Sequence, residues 1–499
     1  LILLQIVLGL SLTGDLLPWD QKGYYATQVA TNIAGVTPMI GSQMQQIAQG
    51  GPNYGHQTLT RFFALHAGVL PTLLVVFLVI HITVFRRHGI KCPDKHLSKP
   101  PGMFWPDQIL KDAIACLAVL ATILFFVVYK QAELSSPADP AEAYSAPRPE
   151  WYFLFLFRFL KFEAIDKMGL AVGAIYIPSA IFGIIALMPI VGRWKLGHRF
   201  NVAFTFGLLL GATYLTVLAL REDAADPDYV AAVKEAHRDA ARAVVLTRKE
   251  NGAPPAGALA LLKSDPYTQG PRLFARHCSS CHRYDGHDGT ERQIVVTTGD
   301  DHSGTKKTEP VPPSAPDLGK FGTRDWTKAV LTDYHEVFAP LKNLTVDEKN
   351  VGERFLVEGD MANWVTENKA ALSDAANADD LKGLAEFLAQ QSGRTFKEPI
   401  DTTLATAGEA VFKTGKLKNG ALSMSCAECH DPGNGAPVLV GYGSADWLKR
   451  FILNPGHADF YGDNNAMVPF EGKLNERELQ LLVDWMTGNY FMPETAAAH

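Results

Sequence analysis

Long apolar runs in the first 220 residues constrain the fold of this chain more than any other feature. A helix needs about 20 apolar residues to cross the hydrocarbon core of a bilayer, where all backbone polar groups must be paired internally. Runs of about this length, or slightly shorter, occupy residues 1–17, 62–85, 109–129, 170–191 and 202–220. The sequence therefore predicts a bundle of membrane-spanning helices.

The chain changes character after residue 221, where it becomes polar. Basic residues cluster after the second apolar run and between the fourth and the fifth, which assigns those two loops to the inner side of the membrane. Residues 18–61, residues 131–168 and everything after residue 221 are then expected outside. The net charge of −6 averages two regions in different solvents, and we expect no nucleic-acid partner.

Two histidines interrupt the second apolar run. His66 and His81 are 15 positions apart, so a regular helix separates them by about 22 Å along its axis and by roughly 60° around it. One helix thus presents an imidazole near each membrane face toward the same side, although Pro71 between them can bend it. Polar side chains inside a membrane are costly and usually functional, and imidazole is a good ligand for iron. The alternative is interhelical hydrogen bonding or a proton relay.

A six-coordinate haem iron at each of these histidines needs a second axial ligand. His56 and His88 lie in predicted loops, so the apolar runs contain no other histidine. The chain starts at Leu1, already inside an apolar run. The second ligands are therefore expected from a missing N-terminal segment or from another subunit.

Three stretches, in this order, resemble cytochrome b of the bc1/b6f class: GDLLPWDQKGYYATQVATNIAG, TLTRFFALH with a second histidine beyond it, and PEWY. The 15-residue histidine spacing is similar to the b6 form, and the sequence from FWPDQILKD onward resembles subunit IV of b6f complexes. The resemblance covers residues 1–220 nearly continuously. It implies that Leu1 lies in the third helix of the family and that the two earlier helices carry the partner histidines.

The resemblance also implies roles for individual residues. His66 would ligate the low-potential haem b near the outer face, and His81 the high-potential haem b near the inner face. Gly14 falls where the family keeps a glycine for close approach of a haem, which suits its lack of a Cβ. Arg61, one turn before His66, is placed to pair with a haem propionate.

Residues 149–152, with the sequence PEWY, open an aromatic run. A carboxylate beside an aromatic pocket at the membrane can accept a proton from a quinol hydroxyl. The same four residues alone also fit a helix start with proline at the first position. Within the cytochrome b-like order, the resemblance makes Glu150 the proton acceptor of the outer quinol-oxidising site. Tyr152 is expected nearby, and Tyr24 and Tyr25 of the opposing loop as further lining.

The polar region contains two Cys-x-x-Cys-His motifs. They are formed by Cys278, Cys281 and His282 and by Cys426, Cys429 and His430. The spacing suits two thioether bonds to a haem followed by an axial histidine. A zinc site would need two further ligands at compact spacing, and a thioredoxin-like motif would not need the histidine. Two covalent haem c groups are expected.

The sixth ligands of these haems are predicted from sequence order. In the second module Met467 precedes a predicted closing helix, an order that resembles class I cytochrome c. In the first module Met361 stands in the same relation to DDLKGLAEFLAQ, with His335 as the alternative ligand. The stretches PDLGKFG from Pro316 and APVLVGYG from Ala436 sit where the proline–leucine segment of the family packs on the haem.

These features predict an all-α fold, with a multi-span transmembrane helical bundle followed by two small α-helical haem c domains. The predicted parts are a cytochrome b6-like part with the haem-ligand helix at 1–100, a subunit IV-like quinol-site part at 101–221, a linker at 222–257, and cytochrome c domains at 258–393 and 394–499.

The resemblance implies the cytochrome b/c subunit of a proton-translocating quinol:cytochrome c oxidoreductase in a bacterial inner (cytoplasmic) membrane, with the haem c domains on the periplasmic side. The expected cofactors are two haem b groups, each sharing ligands from outside this chain, and two haem c groups, with quinol as substrate. The expected partners are the missing cytochrome b segment, a Rieske-type iron–sulfur protein, a soluble cytochrome or other acceptor, membrane lipid and a second copy of the complex. The alternatives are a haem-bearing anchor and relay without its own quinol catalysis, or a degenerate structural subunit.

Overall fold

The computed structural model describes residues 1–89, 103–131, 134–144, 146–300, 306–346, 349–350, 352–434, 436–461 and 465–493. The chain forms two compact units, Leu1–Leu259 and Ala260–His499. Both are mostly helical, which confirms the predicted all-α class. The described strands form two short antiparallel hairpins, β1 (Val295–Asp300) with β2 (Lys306–Pro310) and β3 (Thr345–Val346) with β4 (Lys349–Asn350).

The first unit is built from helices of very different lengths. Its described α-helices are α1 (Ile2–Asp15), α2 (Gln21–Gly35), α3 (Gly41–Gln49), α4 (His56–Ala64), α5 (Leu70–His88), α6 (Ile109–Lys130), α7 (Leu154–Leu160), α8 (Glu163–Met168), α9 (Ile177–Val191), α10 (Lys195–Ala225) and α11 (Pro227–Lys249). Three wide π turns, Leu65–Val69, Phe104–Gln108 and Val172–Tyr176, and one 3-10 turn, Trp151–Phe153, adjoin them.

Four described helical stretches are long and apolar enough to cross a membrane. They are His56–His88, Phe104–Tyr129, Val172–Val191 and Lys195–Ala225, and they coincide with the second to fifth predicted runs. The first predicted run forms α1, which has only 14 residues. Apolar side chains on the long helices face outward; Val75, Leu117 and Leu210 are 60%, 63% and 69% exposed. Such continuous apolar surface is stable against lipid rather than water.

The two predicted outer loops are hydrogen-bonded to each other. The carboxylate of Asp20 caps α2 by accepting from the Gly23 amide at 2.8 Å, and its other oxygen accepts from the Ser135 amide at 2.8 Å. The amide of Asp139 donates to the side-chain oxygen of Gln21 at 2.8 Å. These bonds bring the start of α2 against the loop that precedes the PEWY stretch.

The second unit begins with α12 (Ala258–Lys263), which starts just before it. The helices that follow are α13 (Pro266–His277), α14 (Arg324–Val337), α15 (Gly352–Leu356), α16 (Asp360–Leu372), α17 (Ala378–Ser392), α18 (Thr402–Thr414), α19 (Cys426–His430), α20 (Ala445–Leu453) and α21 (Glu476–Met486). Polar side chains that cap helix N-termini, and so satisfy their free amides, are Asp265, Thr323, Asp401, Ser444 and Asn475.

Two hydrophobic cores hold the second unit together. The first joins Leu273 and Phe274 of α13 to buried residues of α20 and α21. The second joins Leu384 and Phe387 of α17 to Val411 and its neighbours in α18 and beyond. Each core draws on residues from both sides of position 393, so packing does not follow the order in which the two predicted modules occur in the sequence.

Candidate functional site

His66 lies in a wide turn of the second predicted span. Its Nδ1 is 3.1 Å from the carbonyl oxygen of Leu10 and 3.2 Å from the hydroxyl of Thr13. Because a carbonyl oxygen can only accept, Nδ1 carries the proton and donates to it, which leaves the lone pair on Nε2 for a metal. The π turn Leu65–Val69 positions this half-buried ring, and such turns are frequent at functional sites.

Gly14 lies directly against His66. A Cβ at Gly14 would come within 2.8 Å of the imidazole Cε1, so any side chain there displaces the ring. The predicted role of this glycine was close approach of a haem, and the contact observed is with the histidine itself. The absence of a side chain at Gly14 therefore leaves room for the imidazole.

His81 lies on α5, and its side chain is exposed. The π turn takes up about one extra residue, so His66 and His81 are separated by the equivalent of about 14 regular helical steps, or roughly 40° around the helix. The predicted offset assumed a regular helix, and the two estimates agree that both rings face the same side. Arg61, predicted to meet a propionate, donates through a guanidinium nitrogen to the carbonyl of Ile47.

Glu150 of the PEWY stretch forms an ion pair with Lys22, the residue that follows the cap of α2 by two positions. Lys22 Nζ is 2.5 Å from Glu150 Oε1, and the two side chains are 39% and 31% exposed. Burial alone would lower the pKa of Lys22, but the hydrogen bond and negative charge of Glu150 raise it above its usual value. Sequence reasoning missed Lys22, although it stands inside the quoted WDQKGYY segment.

Three aromatic residues follow Glu150 directly in the sequence. Tyr152 lies against Trp151 and Phe153 in edge-to-face contacts, and its hydroxyl is 3.5 Å from the carbonyl of Ser11. Burial and the nearby Glu150 charge raise the pKa of Tyr152, so its phenol stays neutral.

Tyr24 and Tyr25 pack edge-to-face with ring centroids 5.1 Å apart. The Tyr25 hydroxyl donates to the Glu142 carbonyl at 2.5 Å. The predicted lining residues thus occur on the two loops that the Asp20 and Gln21 hydrogen bonds join.

The two Cys-x-x-Cys-His motifs share one local geometry. Nδ1 of His282 is 2.8 Å from the Pro316 carbonyl oxygen, and Nδ1 of His430 is 2.9 Å from the Pro437 carbonyl oxygen. Each Nδ1 must donate to its carbonyl, so each Nε2 keeps a lone pair for an axial bond. Burial lowers the pKa of His282, which favours the neutral ring. The segments beginning at Pro316 and Ala436 therefore orient the histidines.

The first cysteine of each motif is half-buried and packs against a hydrophobic core. Burial raises the pKa of the Cys278 thiol to about 12 and that of Cys426 to about 12. Cys281 is exposed and Cys429 half-buried. In the described part of the chain, His, Cys, Asp and Glu side chains do not gather in groups of three or more suited to a metal ion. The donors present fit a haem attached by two sulfurs.

The two methionines predicted as sixth ligands pack beside the motifs in a crossed pattern. Met467 packs against the core that contains Cys278 as a neighbour. Met361 packs against the core that contains Cys426 as a neighbour. The predicted pairing by sequence order, Met467 with the second motif and Met361 with the first, is not the pairing of these cores. His335 is exposed, with Nε2 3.1 Å from the hydroxyl of Thr366.

Comparison with known families matches two separate regions of the chain. Residues 1–137 match the family described as cytochrome b(N-terminal)/b6/petB, and residues 405–486 match cytochrome C oxidase, cbb3-type, subunit III. The second match starts at α18 and includes the second Cys-x-x-Cys-His motif.

Similar proteins match the membrane region. A cytochrome bc complex cytochrome b subunit of Chlorobaculum thiosulfatiphilum is 34% identical over 224 residues, 43% of this chain and 51% of that protein. A cytochrome b of Albinaria caerulea is 32% identical over 183 residues, 35% of this chain and 45% of that protein. A cytochrome b6 of a Picosynechococcus species is 40% identical over 92 residues, 18% of this chain and 41% of that protein.

This chain spans about half the length of these relatives. The family matches fall on the regions that hold His66 and the second Cys-x-x-Cys-His motif, and four apolar helices accompany them. The chain therefore carries a region similar to cytochrome b/b6 at residues 1–137 and a region similar to cbb3-type cytochrome c oxidase subunit III at residues 405–486.

Proposed function

We propose that this chain is the cytochrome b/c subunit of a quinol:cytochrome c oxidoreductase, in which Glu150 accepts a proton from a membrane quinol near the outer face. The observation that carries the proposal is the ion pair between Glu150 and Lys22. It holds a carboxylate, among aromatic side chains, where the two loops expected to line a quinol site meet. A relative named as a cytochrome bc complex subunit supports the same class of activity.

The backbone of Glu150 and its side chain are held by separate hydrogen bonds. The Phe153 amide donates to the Glu150 carbonyl at 2.8 Å and starts the turn that follows. The carboxylate itself is held by Lys22. A quinol hydroxyl that displaces the ammonium would reach the Glu150 carboxylate, which can accept its proton. Lys22 thus fixes the position of this carboxylate between turnovers.

The neighbouring groups shape the pocket. Tyr152 stays neutral and can donate a hydrogen bond to a quinol oxygen. Trp151 and Phe153 pack edge-to-face on Tyr152 and would offer apolar contact to a quinol ring. Asp20 and Gln21 at the start of α2 hydrogen-bond to Ser135 and Asp139 in the loop that precedes Glu150. These bonds would hold α2, which carries Tyr24 and Tyr25, at a fixed distance from Glu150.

Bound haems would supply one-electron redox chemistry, with b-type groups on His66 and His81 and covalent c-type groups on the two Cys-x-x-Cys-His motifs. Their partner ligands in the membrane would come from a cytochrome b segment outside this chain. We further propose a Rieske-type iron–sulfur protein, a soluble acceptor, a dimeric complex, and a bacterial cytoplasmic membrane with the haem c domains on the outer side. Proton release at Glu150 on that side would charge the membrane.

The experiment measures quinol:cytochrome c reductase activity of the whole complex with Glu150→Gln. We expect turnover to fall about 10²-fold, since the amide cannot take the proton. The matched control is Glu163→Gln, because Glu163 also pairs with a lysine at 2.5 Å but is 82% exposed on a nearby helix. Haem content should stay unchanged in both variants.

The second candidate function is a haem-bearing anchor that relays electrons without oxidising quinol itself. The pair of complete c-type motifs supports it, because they alone suffice for a relay. Unchanged quinol turnover in Glu150→Gln, with normal haem spectra, would favour this anchor. Spectra without b-type bands in the intact complex would instead favour a structural subunit.

A further inference from the structure

We infer that the two c-type haem sites exchange their methionine-bearing halves: the haem held by Cys278 and Cys281 takes Met467 as its sixth ligand, and the haem held by Cys426 and Cys429 takes Met361. The inference rests on the covalent haems of the proposed function and is independent of quinol oxidation. We call residues 266–322 and 402–443 the first and second cysteine halves. Residues 324–392 and 445–486 are the first and second methionine halves.

The first core joins the first cysteine half to the second methionine half. Gly270 of α13 lies so close to α21 that a Cβ on it would be 2.2 Å from the Cβ of Trp485. The Phe274 and Trp485 rings meet with centroids 5.8 Å apart, and Tyr284 stacks on Trp485 at 4.2 Å. The first helix of the first module, α13, thus packs on the last helix of the second module, α21.

The second core joins the second cysteine half to the first methionine half. A Cβ on Gly408 of α18 would be 1.9 Å from the carbonyl oxygen of Gly383 in α17, so the two helices cross backbone to backbone. Phe387 and Phe412 pack across this crossing with centroids 5.2 Å apart. As at Gly270 in the first core, a glycine allows two helices from different modules to pack closely.

Polar contacts connect the helix of Met361 to the segment that leads into Cys426. The indole nitrogen of Trp364 donates to the Met424 carbonyl at 3.0 Å. The Asn368 side chain donates to the Ser423 hydroxyl at 2.8 Å and accepts from the Ser423 amide at 2.8 Å. These side chains lie one and two turns beyond Met361 on α16, so the methionine begins a helix already bound to the second motif.

Met467 lies in a loop bound to the first core. Asn465 holds this loop, since its side chain accepts from the Met467 amide at 3.0 Å and donates to the Met467 carbonyl at 2.7 Å. The Phe470 amide donates to the Ile452 carbonyl at 3.1 Å. Phe470 belongs to the same core as Phe274, four residues before Cys278. The loop therefore faces the first motif.

The chain passes from a cysteine half to a methionine half twice, near residue 323 and near residue 444, and hydrogen bonds connect these two places to the segment around residue 393. Arg394 joins them: one guanidinium nitrogen donates to the Phe321 carbonyl at 2.9 Å and the other to the Met486 carbonyl at 2.9 Å. The Gly441 amide donates to the Gln391 carbonyl at 2.8 Å. Gly322 and Gly441 adopt φ values of +71° and +74°, which favour glycine, so the crossings are built into the sequence.

Met424 is the nearest competitor for the second haem. Its sulfur is 3.5 Å from the sulfur of Cys429, so it lies beside an expected haem attachment point. Its side chain is 42% exposed. Met361, half-buried against the core that includes Cys426, is the ligand that the packing supports.

The test uses the full-length protein with one covalent haem removed at a time. In a Cys278→Ala/Cys281→Ala background only the second haem remains. There Met361→Leu should abolish the long-wavelength methionine-to-ferric-iron absorption band and lower the midpoint potential, since methionine ligation raises it. Met467→Leu and Met424→Leu should leave both unchanged. In the Cys426→Ala/Cys429→Ala background, Met467→Leu should remove the band and Met361→Leu should not. The reverse pattern, or loss of the band in Met424→Leu, overturns the inference.

A second measurement keeps both haems in place. A protease site inserted between the exposed residues Lys397 and Glu398 cuts the chain between the modules. Exchanged halves share two cores, so the fragments should stay together on size-exclusion chromatography in detergent and separate only in denaturant. Separation under native conditions would contradict the exchange. Absence of covalent haem from the uncut protein would instead contradict the proposed function.

Discussion

The candidate haem histidines of the two units differ in how much of their surroundings this chain provides. His282 and His430 each have a proline carbonyl that orients the ring and a hydrophobic core beside the motif. His66 has its orienting groups in α1, whereas His81 is exposed. The unit Ala260–His499 thus orients both of its candidate histidines within its own described residues. In the unit Leu1–Leu259 the described residues orient His66 and leave His81 exposed.

The candidate haem histidines of the two units are oriented by the same kind of hydrogen bond, made to different parts of the chain. In His66, His282 and His430 the Nδ1 proton is donated to a backbone carbonyl, so Nε2 keeps a lone pair that could bind a metal. In the soluble unit that carbonyl is 34 residues away for His282 and 7 for His430. In the membrane unit it comes from a neighbouring helix, 56 residues away. A short turn therefore orients His430, a segment beyond a longer insertion orients His282, and packing between helices orients His66.

The strongest test of the comparison removes a covalent site. Cys278→Ala/Cys281→Ala should reduce covalent haem from two per chain to one, because both thioethers of that group are lost. Acid-acetone-extractable haem should be unaffected, since the membrane sites do not share those ligands. Haem staining of denatured protein and haemochrome spectra of the extract measure the two pools. Cys116→Ala, an exposed thiol on α6, is the control and should change neither.

The next test concerns the close helix crossing of the second core. Gly408→Leu should destabilise the soluble unit by about 3 kcal/mol or more, because the new Cβ meets the Gly383 backbone, which cannot move aside. Thermal unfolding followed at the c-type haem band measures it. Gly456→Ala, whose new Cβ would lie 3.9 Å from the Asn465 side-chain nitrogen, should have little effect. Equal stability of the two variants would contradict this packing.

A smaller effect is expected at the membrane histidine. Gly14→Val should reduce extractable haem in the intact complex, because its side chain pushes the His66 ring out of place. Covalent haem should be retained. Gly68→Ala lies in the same π turn as His66 and meets nothing within 4 Å, so it serves as the control. If Gly14→Val kept the full amount of extractable haem, Gly14 would not be needed for the ring position.

The smallest effect is expected from a single polar contact. Asn368 is 3% exposed, and Asn368→Ala should cost about 1–2 kcal/mol because the Ser423 amide loses its acceptor. Lys369→Ala removes only an exposed ion pair with Asp333 and should change the free energy of unfolding by less than about 0.5 kcal/mol. Denaturant titration of both variants separates the two outcomes.

Much of the membrane unit could be read directly from its sequence. Apolar runs identify spanning helices because lipid leaves the backbone few other choices, and four of the five predicted runs are long apolar helices in the structure. The Cys-x-x-Cys-His motifs can likewise be recognised from the sequence alone, since their thiols and imidazole lie within five residues of each other. Glu150 was a prediction from resemblance, and its partner Lys22 was missed because 128 residues separate the two.

The amino-acid sequence alone determined which elements form and which groups can bind haem, because periodicity, capping and ligand spacing act over a few residues. Only the tertiary structure decided which methionine half packs on which cysteine half. Both pairings use the same helices and the same apolar faces, so local signals do not distinguish them. The glycine crossings and the hydrogen bonds of Asn368 and Arg394 select between them, and they join residues far apart in the chain.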